Sequence, residues 1–284
     1  MYIQVKNLNY TYSKDFPNQT KALDDVSFGI EKNSILGVAG HTGSGKSTLL
    51  QMLNGLLRPD DGEIFIGEDC ITEKDFPLVN IRKKVGLVFQ YPEYQLFEET
   101  VRKDVIYGPK NLGIEDEKEL EEIARDAISK VGLDYEMIKD RSPFELSGGQ
   151  KRRVAIAGVI AMKPEVLILD EPTAGLDPES RHELINMIQN IQKNENIILI
   201  FVSHNMNDIA KLADKMIVLD RGKIAMEGTP REVFEKKDEL NSIGLGVPKV
   251  TEIMHRISEE IEGVKTDVLT LDEALEEIAR VLND

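Results

Sequence analysis

The chain has a single cysteine, Cys70, in 284 residues, which excludes an internal disulfide and offers no cysteine cluster for a metal. Long apolar runs are missing too. The longest uninterrupted stretch, Ile197 to Val202, is six residues, whereas a membrane-spanning helix needs about 20. The opening Met-Tyr-Ile-Gln-Val-Lys has no basic or apolar leader pattern, so no signal peptide is expected. Positive charge is scarce: 35 Lys and Arg stand against 51 Asp and Glu, a formal charge of −16. Nucleic acid and anionic lipid both favour basic partners. A chain this acidic is therefore expected to bind no nucleic acid and, at a membrane, to dock on protein. A cytosolic chain with one large core and an appendage fits the length and the 41% hydrophobic content.

What is present begins with short β-type segments at Tyr2–Val5, Val26–Ile30 and Ile35–Ala39. A glycine-rich loop follows, and Thr48–Leu57 has the apolar density of a buried helix. Gly62–Ile66 and Val85–Phe89 read as further strands. From about residue 91 to 163 apolar positions recur three and four apart, as in helices. Strand patterns return at Val166–Leu169, Ile197–Val202 and Met216–Leu219, and their wholly apolar character suits parallel strands covered on both faces. The expected fold class is therefore α/β. From about Glu239 the character changes: Gly244-Leu-Gly-Val-Pro248 is a breaker cluster, followed by two candidate helices. The second opens with a capping-box pattern, Thr270-Leu-Asp-Glu273. Its apolar stripe runs through Leu271, Ala274, Leu275, Ile278, Ala279 and Leu282, facing either the core or a partner.

Gly40-His41-Thr42-Gly43-Ser44-Gly45-Lys46-Ser47, followed by Thr48, fits G-x-x-x-x-G-K-[ST] at every fixed position. The glycines let backbone N–H groups turn inward as an anion nest, and the next helix presents its positive end to the same spot. Lys46 is expected to reach the β- and γ-phosphates of ATP, and Ser47 to ligate Mg2+. Val166-Leu-Ile-Leu-Asp170-Glu171 supplies the other half. The strand delivers Asp170 towards the metal and Glu171 towards an attacking water. These two motifs together indicate a P-loop nucleotide hydrolase.

Leu146-Ser147-Gly148-Gly149-Gln150, twenty residues before Asp170, narrows this. Ser147 and Gln150 also read as a capping box, and the two readings are compatible. Over residues 1 to about 235 the sequence resembles the ABC ATPases. That resemblance implies a mostly parallel core sheet with an N-terminal antiparallel β part and a helical subdomain at about 91–165. It implies that Ser147, Gly148, Gly149 and Gln150 face the ATP of a second ATPase subunit. Tyr12 is similar to the aromatic that stacks on adenine, with Tyr10 the alternative. Gln90 is similar to the glutamine that senses Mg2+ and the γ-phosphate, Asp177 to an aspartate of the dimer interface, and His204 to the histidine that contacts the γ-phosphate. Glu171 and His204 are both present, so the resemblance implies a competent ATPase.

Gln90-Tyr-Pro-Glu-Tyr-Gln-Leu-Phe97 carries three aromatics and a proline. With Tyr107-Gly-Pro-Lys-Asn-Leu-Gly113 and the helical tail, it resembles ATPase subunits of energy-coupling factor transporters, closer to the second, primed type. This implies an ABC domain at 1–238, a helical dimerisation domain at 239–284, and a peripheral position on the cytoplasmic face of the membrane. It also implies a transmembrane coupling T protein and a substrate-capture S protein as partners, in uptake of a vitamin or transition-metal ion such as cobalt or nickel. A conventional importer for an amino acid or inorganic ion is the alternative. The aromatics would form a groove for the coupling protein or fill the core between lobes.

Overall fold

The structure is a computed structural model that describes residues 1–14 and 16–283, the Asn283 side chain excepted. Asp15 and the last residue of the expected tail domain, Asp284, lie outside it. In chain order the elements open with β1 (Ile3–Tyr12), β2 (Thr20–Ile30), β3 (Ile35–Ala39), α1 (Lys46–Leu53), β4 (Asp61–Ile66) and β5 (Asp69–Cys70). Then come α2 (Leu78–Lys84), β6 (Val85–Val88), α3 (Val101–Asn111), α4 (Glu117–Lys130), α5 (Tyr135–Ile138) and α6 (Gly148–Ile160). The second half holds β7 (Val166–Asp170), α7 (Pro178–Glu195), β8 (Ile198–Val202), α8 (Met206–Leu212), β9 (Lys215–Asp220) and β10 (Lys223–Gly228). It closes with α9 (Pro230–Phe234), α10 (Lys237–Ser242), α11 (Lys249–Glu260) and α12 (Leu271–Asn283).

An antiparallel sheet of order β2-β1-β4-β5 covers a larger sheet of order β10-β9-β3-β8-β7-β6, parallel except at β10. Every residue of β3 and β8 is buried because both faces of this sheet are covered, and the strand period of two splits them between two cores. Leu36, Val38, Val166, Ile168, Ile198 and Ile200 pack with α1 and the antiparallel sheet. Ala39, Leu167, Leu169, Leu199 and Phe201 pack with the helices of the other face. Among them α3, α4 and α6 contact one another as a helical layer between β6 and β7 in sequence.

The tail is thinner. Met254, Val268 and Ala274 form its small buried cluster, with Ile257 and Ile278 packed on it. Arg231 of α9 holds it through Glu273 at 2.8 Å. The expected stripe of α12 divides: Ala274 is buried, whereas Leu271, Leu275 and Leu282 are exposed. The expected capping box also forms only in part. Glu273 N donates to Thr270 Oγ1, but the Glu273 carboxylate accepts from Leu269 N and Arg231 instead of Thr270 N.

Candidate nucleotide site

The register Val88↔Leu169, Asp170↔Val202, Val38↔Val202 and Ala39↔Val218 aligns the carboxyl ends of five strands on one edge. Loops leaving such an edge converge into a crevice. β3 runs into the Gly40–Gly45 loop. Gly40 and Gly45 have φ of +150° and +106°, and a Cβ at either would sit 2.4 Å from a backbone oxygen, of Leu219 and Ala22 respectively. Gly43, at φ +83°, has open space above it. These positions explain why the loop needs glycine.

Lys46 is buried, and its Nζ donates to Gly40 O at 2.6 Å and His41 O at 2.9 Å. Burial holds its ammonium below the usual lysine range, against the pull of Glu171 and Asp170. A buried cation resting on neutral carbonyls can exchange them for an anion's oxygens. The Ser44 hydroxyl beside it is buried without a partner. At the other wall Ser47 Oγ donates to Asp170 Oδ2 at 3.4 Å. Burial and then the Glu171 charge raise the Asp170 carboxyl above the usual carboxylate range. Among the described residues no three His, Cys, Asp or Glu side chains gather to hold a metal alone. Ser47 and Asp170 form an incomplete oxygen set, of the kind that suits Mg2+ when phosphate oxygens and water supply the remaining ligands.

Glu171 follows β7 with φ +50°, a left-handed backbone that costs a non-glycine residue about 1–3 kcal/mol. Its N donates to Val202 O at 3.1 Å. The buried carboxylate is held from two sides: Gln90 Nε2 donates to Oε2 at 2.9 Å, and His204 Nε2 lies 2.5 Å from Oε1. Gln90 extends from β6 and His204 from β8, so three adjacent strands position one carboxylate. Thr42, Gly43, Gly45, Lys46, Ser47, Thr48, Gln90, Glu171 and His204 line a cleft of about 370 Å³. Tyr12 closes its other end, with its OH 3.2 Å from Thr48 Oγ1. Tyr10 packs against the core and stands edge-on to Tyr12 at 4.8 Å. Of the two tyrosines, Tyr12 is the one on the cleft.

The Leu146–Gln150 segment, the signature of the resemblance, is elsewhere. Ser147 caps α6 with a complete capping box: Gln150 N donates to Ser147 Oγ at 3.3 Å and Ser147 N to Gln150 Oε1 at 3.1 Å. A Cβ on Gly148 or Gly149 would meet nothing within 4 Å. Ser147, Gly149 and Gln150 line a separate recess of about 210 Å³ with Ser180 and Glu183. Asp177 is exposed and caps α7, accepting from Glu179 N and Ser180 N at 3.0 Å. The Ser180 hydroxyl holds its carboxyl below the usual range. One chain thus brings together the loop, Asp170, Glu171, Gln90, His204 and Tyr12, but not Ser147–Gln150 or Asp177.

Two residues that the sequence reading passed over tie these parts together. Buried Arg152 of α6 donates to Pro172 O at 2.8 Å and Ala174 O at 3.1 Å, just after Glu171. Buried Asp208 of α8 accepts from Thr173 Oγ1 at 2.9 Å, and burial raises its carboxyl. An arginine inside Lys-Arg-Arg and an aspartate opening a helix carry no sequence mark of burial. The aromatics after Gln90 do not fill a core: Tyr91, Tyr94 and Phe97 are exposed. Phe97 meets Tyr107 edge-on at 4.8 Å. Both line an apolar groove of about 480 Å³ between α2, α3 and α6, with Leu56, Val79 and Phe89.

The family profile described as ABC transporter matches residues 23–174, more than half of the chain. This chain belongs to the ABC transporter ATP-binding subunits, of the energy-coupling factor type. It is 56% identical to the energy-coupling factor transporter ATP-binding protein EcfA2 of Clostridioides difficile, over 99% of this chain and 98% of that one. The protein of the same description from Caldanaerobacter subterraneus is 54% identical over 99% and 98%. Among solved structures, cbiO1 of Clostridium perfringens, part of the ABC transporter complex cbiONQ, is 36% identical with a TM-score of 0.76, covering 92% of this chain and 99% of that one. The ATP-binding cassette MJ0796, solved as a dimer in a post-hydrolysis state with ADP and phosphate, is 26% identical with a TM-score of 0.70, over 80% and 98%. The ABC ATPase is thus an ATP-binding and ATP-hydrolysing enzyme with a mixed α/β cassette fold. None of the helices among its described residues is long and apolar enough to cross a membrane.

Proposed function

We propose that the chain holds MgATP between its phosphate loop and a second ATPase subunit, and that hydrolysis there drives uptake through membrane proteins. The observation that carries this is the division of the site: the cleft holds Lys46, Glu171, Gln90 and His204, with Asp170 on Ser47 at its wall, while the open Ser147–Gln150 turn lies on another surface. In this reading Lys46 exchanges the Gly40 and His41 carbonyls for β- and γ-phosphate oxygens. Tyr12 stacks on adenine, and Thr42, Gly43, Ser44, Gly45 and Thr48 cradle the phosphates. Ser47, Gln90 and Asp170 hold Mg2+, which when bound neutralises charge developing on the phosphates.

Glu171 orients and polarises the attacking water. Each of its oxygens accepts one hydrogen bond, from Gln90 and from His204, and keeps a lone pair for that water. Gln90 would meet the metal and His204 the γ-phosphate, so the side chains that orient this carboxylate are also those that would meet the nucleotide. Ser147, Gly148, Gly149 and Gln150 serve the partner's ATP, because two open N–H groups and a hydroxyl at a helix start suit a phosphate. Asp177 lies at the same junction. ATP draws the two ATPases together and hydrolysis releases them, a two-state element biased by its ligand.

The apolar groove at Phe97 and Tyr107 is the seat of a helix from the T protein, which works with a substrate-capture S protein. Aromatic anchors in apolar pockets are typical of such contacts. The chain sits peripherally on the cytoplasmic face, with residues 1–238 as the ATPase domain and 239–284 as a helical dimerisation domain. Exposed Leu271, Leu275 and Leu282 support that role for the tail. The cargo class is a vitamin or a transition-metal ion. Affinity purification of the tagged chain from detergent-solubilised membranes tests the whole reading. Recovery of a second ATPase, a T protein and small S proteins is expected, and their loss when Tyr94 and Phe97 are both replaced by Ala. Recovery of one ordinary permease would move the assignment to a conventional importer.

A further inference from the structure

His41, the second residue of the phosphate loop, has both ring nitrogens engaged. Nδ1 lies 2.7 Å from Thr42 O, and Nε2 lies 2.8 Å from Asp220 Oδ1. A backbone carbonyl and an ionised carboxylate offer only lone pairs. Both contacts are hydrogen bonds only when both ring nitrogens carry hydrogen, which makes the ring a cation. Asp220 ends β9, the strand beside β3. Its turn touches the loop a second time, where Gly222 N donates to Ser44 O at 3.0 Å. The turn is itself anchored by Asp24 N, which donates to Gly222 O at 2.8 Å.

The charged groups of the surrounding elements are few. Asp220 and Arg221 come from the β9 turn. Lys46 comes from α1 and donates to the His41 carbonyl rather than the ring. Asp24 of β2 pairs with Lys21 and Lys223. Asp220 is therefore the charged partner of the ring.

We propose that His41 and Asp220 form a proton-dependent brace on the phosphate loop, with His41 a positioning residue for nucleotide binding. While the ring is charged, the brace ties the loop to β9 and to its own Thr42 carbonyl. When the ring loses a proton it keeps one N–H, so one of the two acceptors faces a lone pair and the brace loses that tie. The inference rests on the phosphate-loop reading and adds a regulator to it: this chain binds ATP less tightly with the ring neutral than with it charged.

The test is ATP affinity, measured calorimetrically at about pH 6 and about pH 8.5, for wild type, Asp220→Asn and His41→Asn. An amide at position 220 can donate to a neutral ring, so Asp220→Asn keeps the brace in both protonation states. Dividing wild type by this variant cancels the titration of ATP itself. Wild type is expected to lose affinity about five- to tenfold relative to Asp220→Asn across that range. His41→Asn should bind weakly at both pH values, so its deficit against wild type shrinks to none at the higher one. Parallel profiles for wild type and Asp220→Asn overturn the proposal. If that variant does not fold, a constant deficit in His41→Asn overturns it equally. Lys46→Ala separates the layers: its binding loss at both pH values upholds the phosphate-loop reading, and unchanged binding there removes both readings together.

Discussion

The cleft around Lys46 and the signature turn at Ser147 are built in opposite ways. The cleft buries Lys46 and Glu171 beside the part-buried Asp170, turns Glu171 through a left-handed backbone, and leaves the Ser44 hydroxyl without a partner. The signature turn has a complete capping box, exposed glycines and open space where side chains would stand. One region carries strain that its own fold must support. The other is relaxed, preformed and incomplete by itself. In the proposed reading this contrast is the logic of a shared site: the strained half belongs with the chemistry, and the relaxed half waits for another chain's nucleotide. Substitutions in the two regions should therefore separate activity from stability.

The largest effect is expected at Glu171. Glu171→Gln should lower turnover by about 10²–10⁴-fold, as loss of a positioned base does, while ATP still binds. Phosphate release under saturating ATP measures it, and normal turnover would contradict the role given to this carboxylate. Next is Gly149→Asp. No atom within 4 Å opposes the side chain, replacing glycine favours the helix, and an acid suits its first turn. The thermal midpoint should hold or rise. Hydrolysis in the assembled pair should still fall about 10²-fold, because the new charge faces phosphate. Loss of stability alongside activity would break the contrast.

The smallest effect sharpens the contrast from the cleft side. Burial lifts Asp170 above its ordinary value of 3.8, so ionising it opposes folding of the nucleotide-free chain. That penalty is absent below pH 3.8 and grows as pH rises through the lifted value. Asp170→Asn should therefore melt about 2–4 °C above the parent at pH 7, the shift expected from ~1 kcal/mol in a chain of this size. The gap should close as pH falls towards 4. Thermal scans across that range check the sign, and a lower midpoint at pH 7 would refute the stated cost.

Sequence reading succeeded where the signal is local. The glycine-rich loop between strand and helix, the strand expected at Val166–Leu169 and the other buried strands each carry their pattern within a few residues, and each appears where expected. It failed where partners are distant. β1 was expected to stop at Val5 but runs to Tyr12, because register shifts after Val5, Leu8 and Tyr10 break the alternation that marks a strand. The same shifts obscure which tyrosine meets the cleft. Helix α1 stops at Leu53, short of the expected Leu57, since Gly55 takes φ +72°. Glu273 leaves its capping box for Leu269 N and for Arg231, a residue 42 positions earlier in the chain. Burial of Arg152 and Asp208 depends on the loop after Glu171, which no local pattern announces.

The central claim is that two half-sites, one strained and one relaxed, meet only between chains. Light scattering of the Glu171→Gln chain, alone and with the second ATPase that co-purifies with it, tests this most directly. The account predicts that ATP and Mg2+ strengthen the association, and that this strengthening disappears when Gly149→Asp is added, with ATP still bound at the Lys46 cleft. No strengthening by ATP, or a strengthening that ignores the Gly149 substitution, would contradict it.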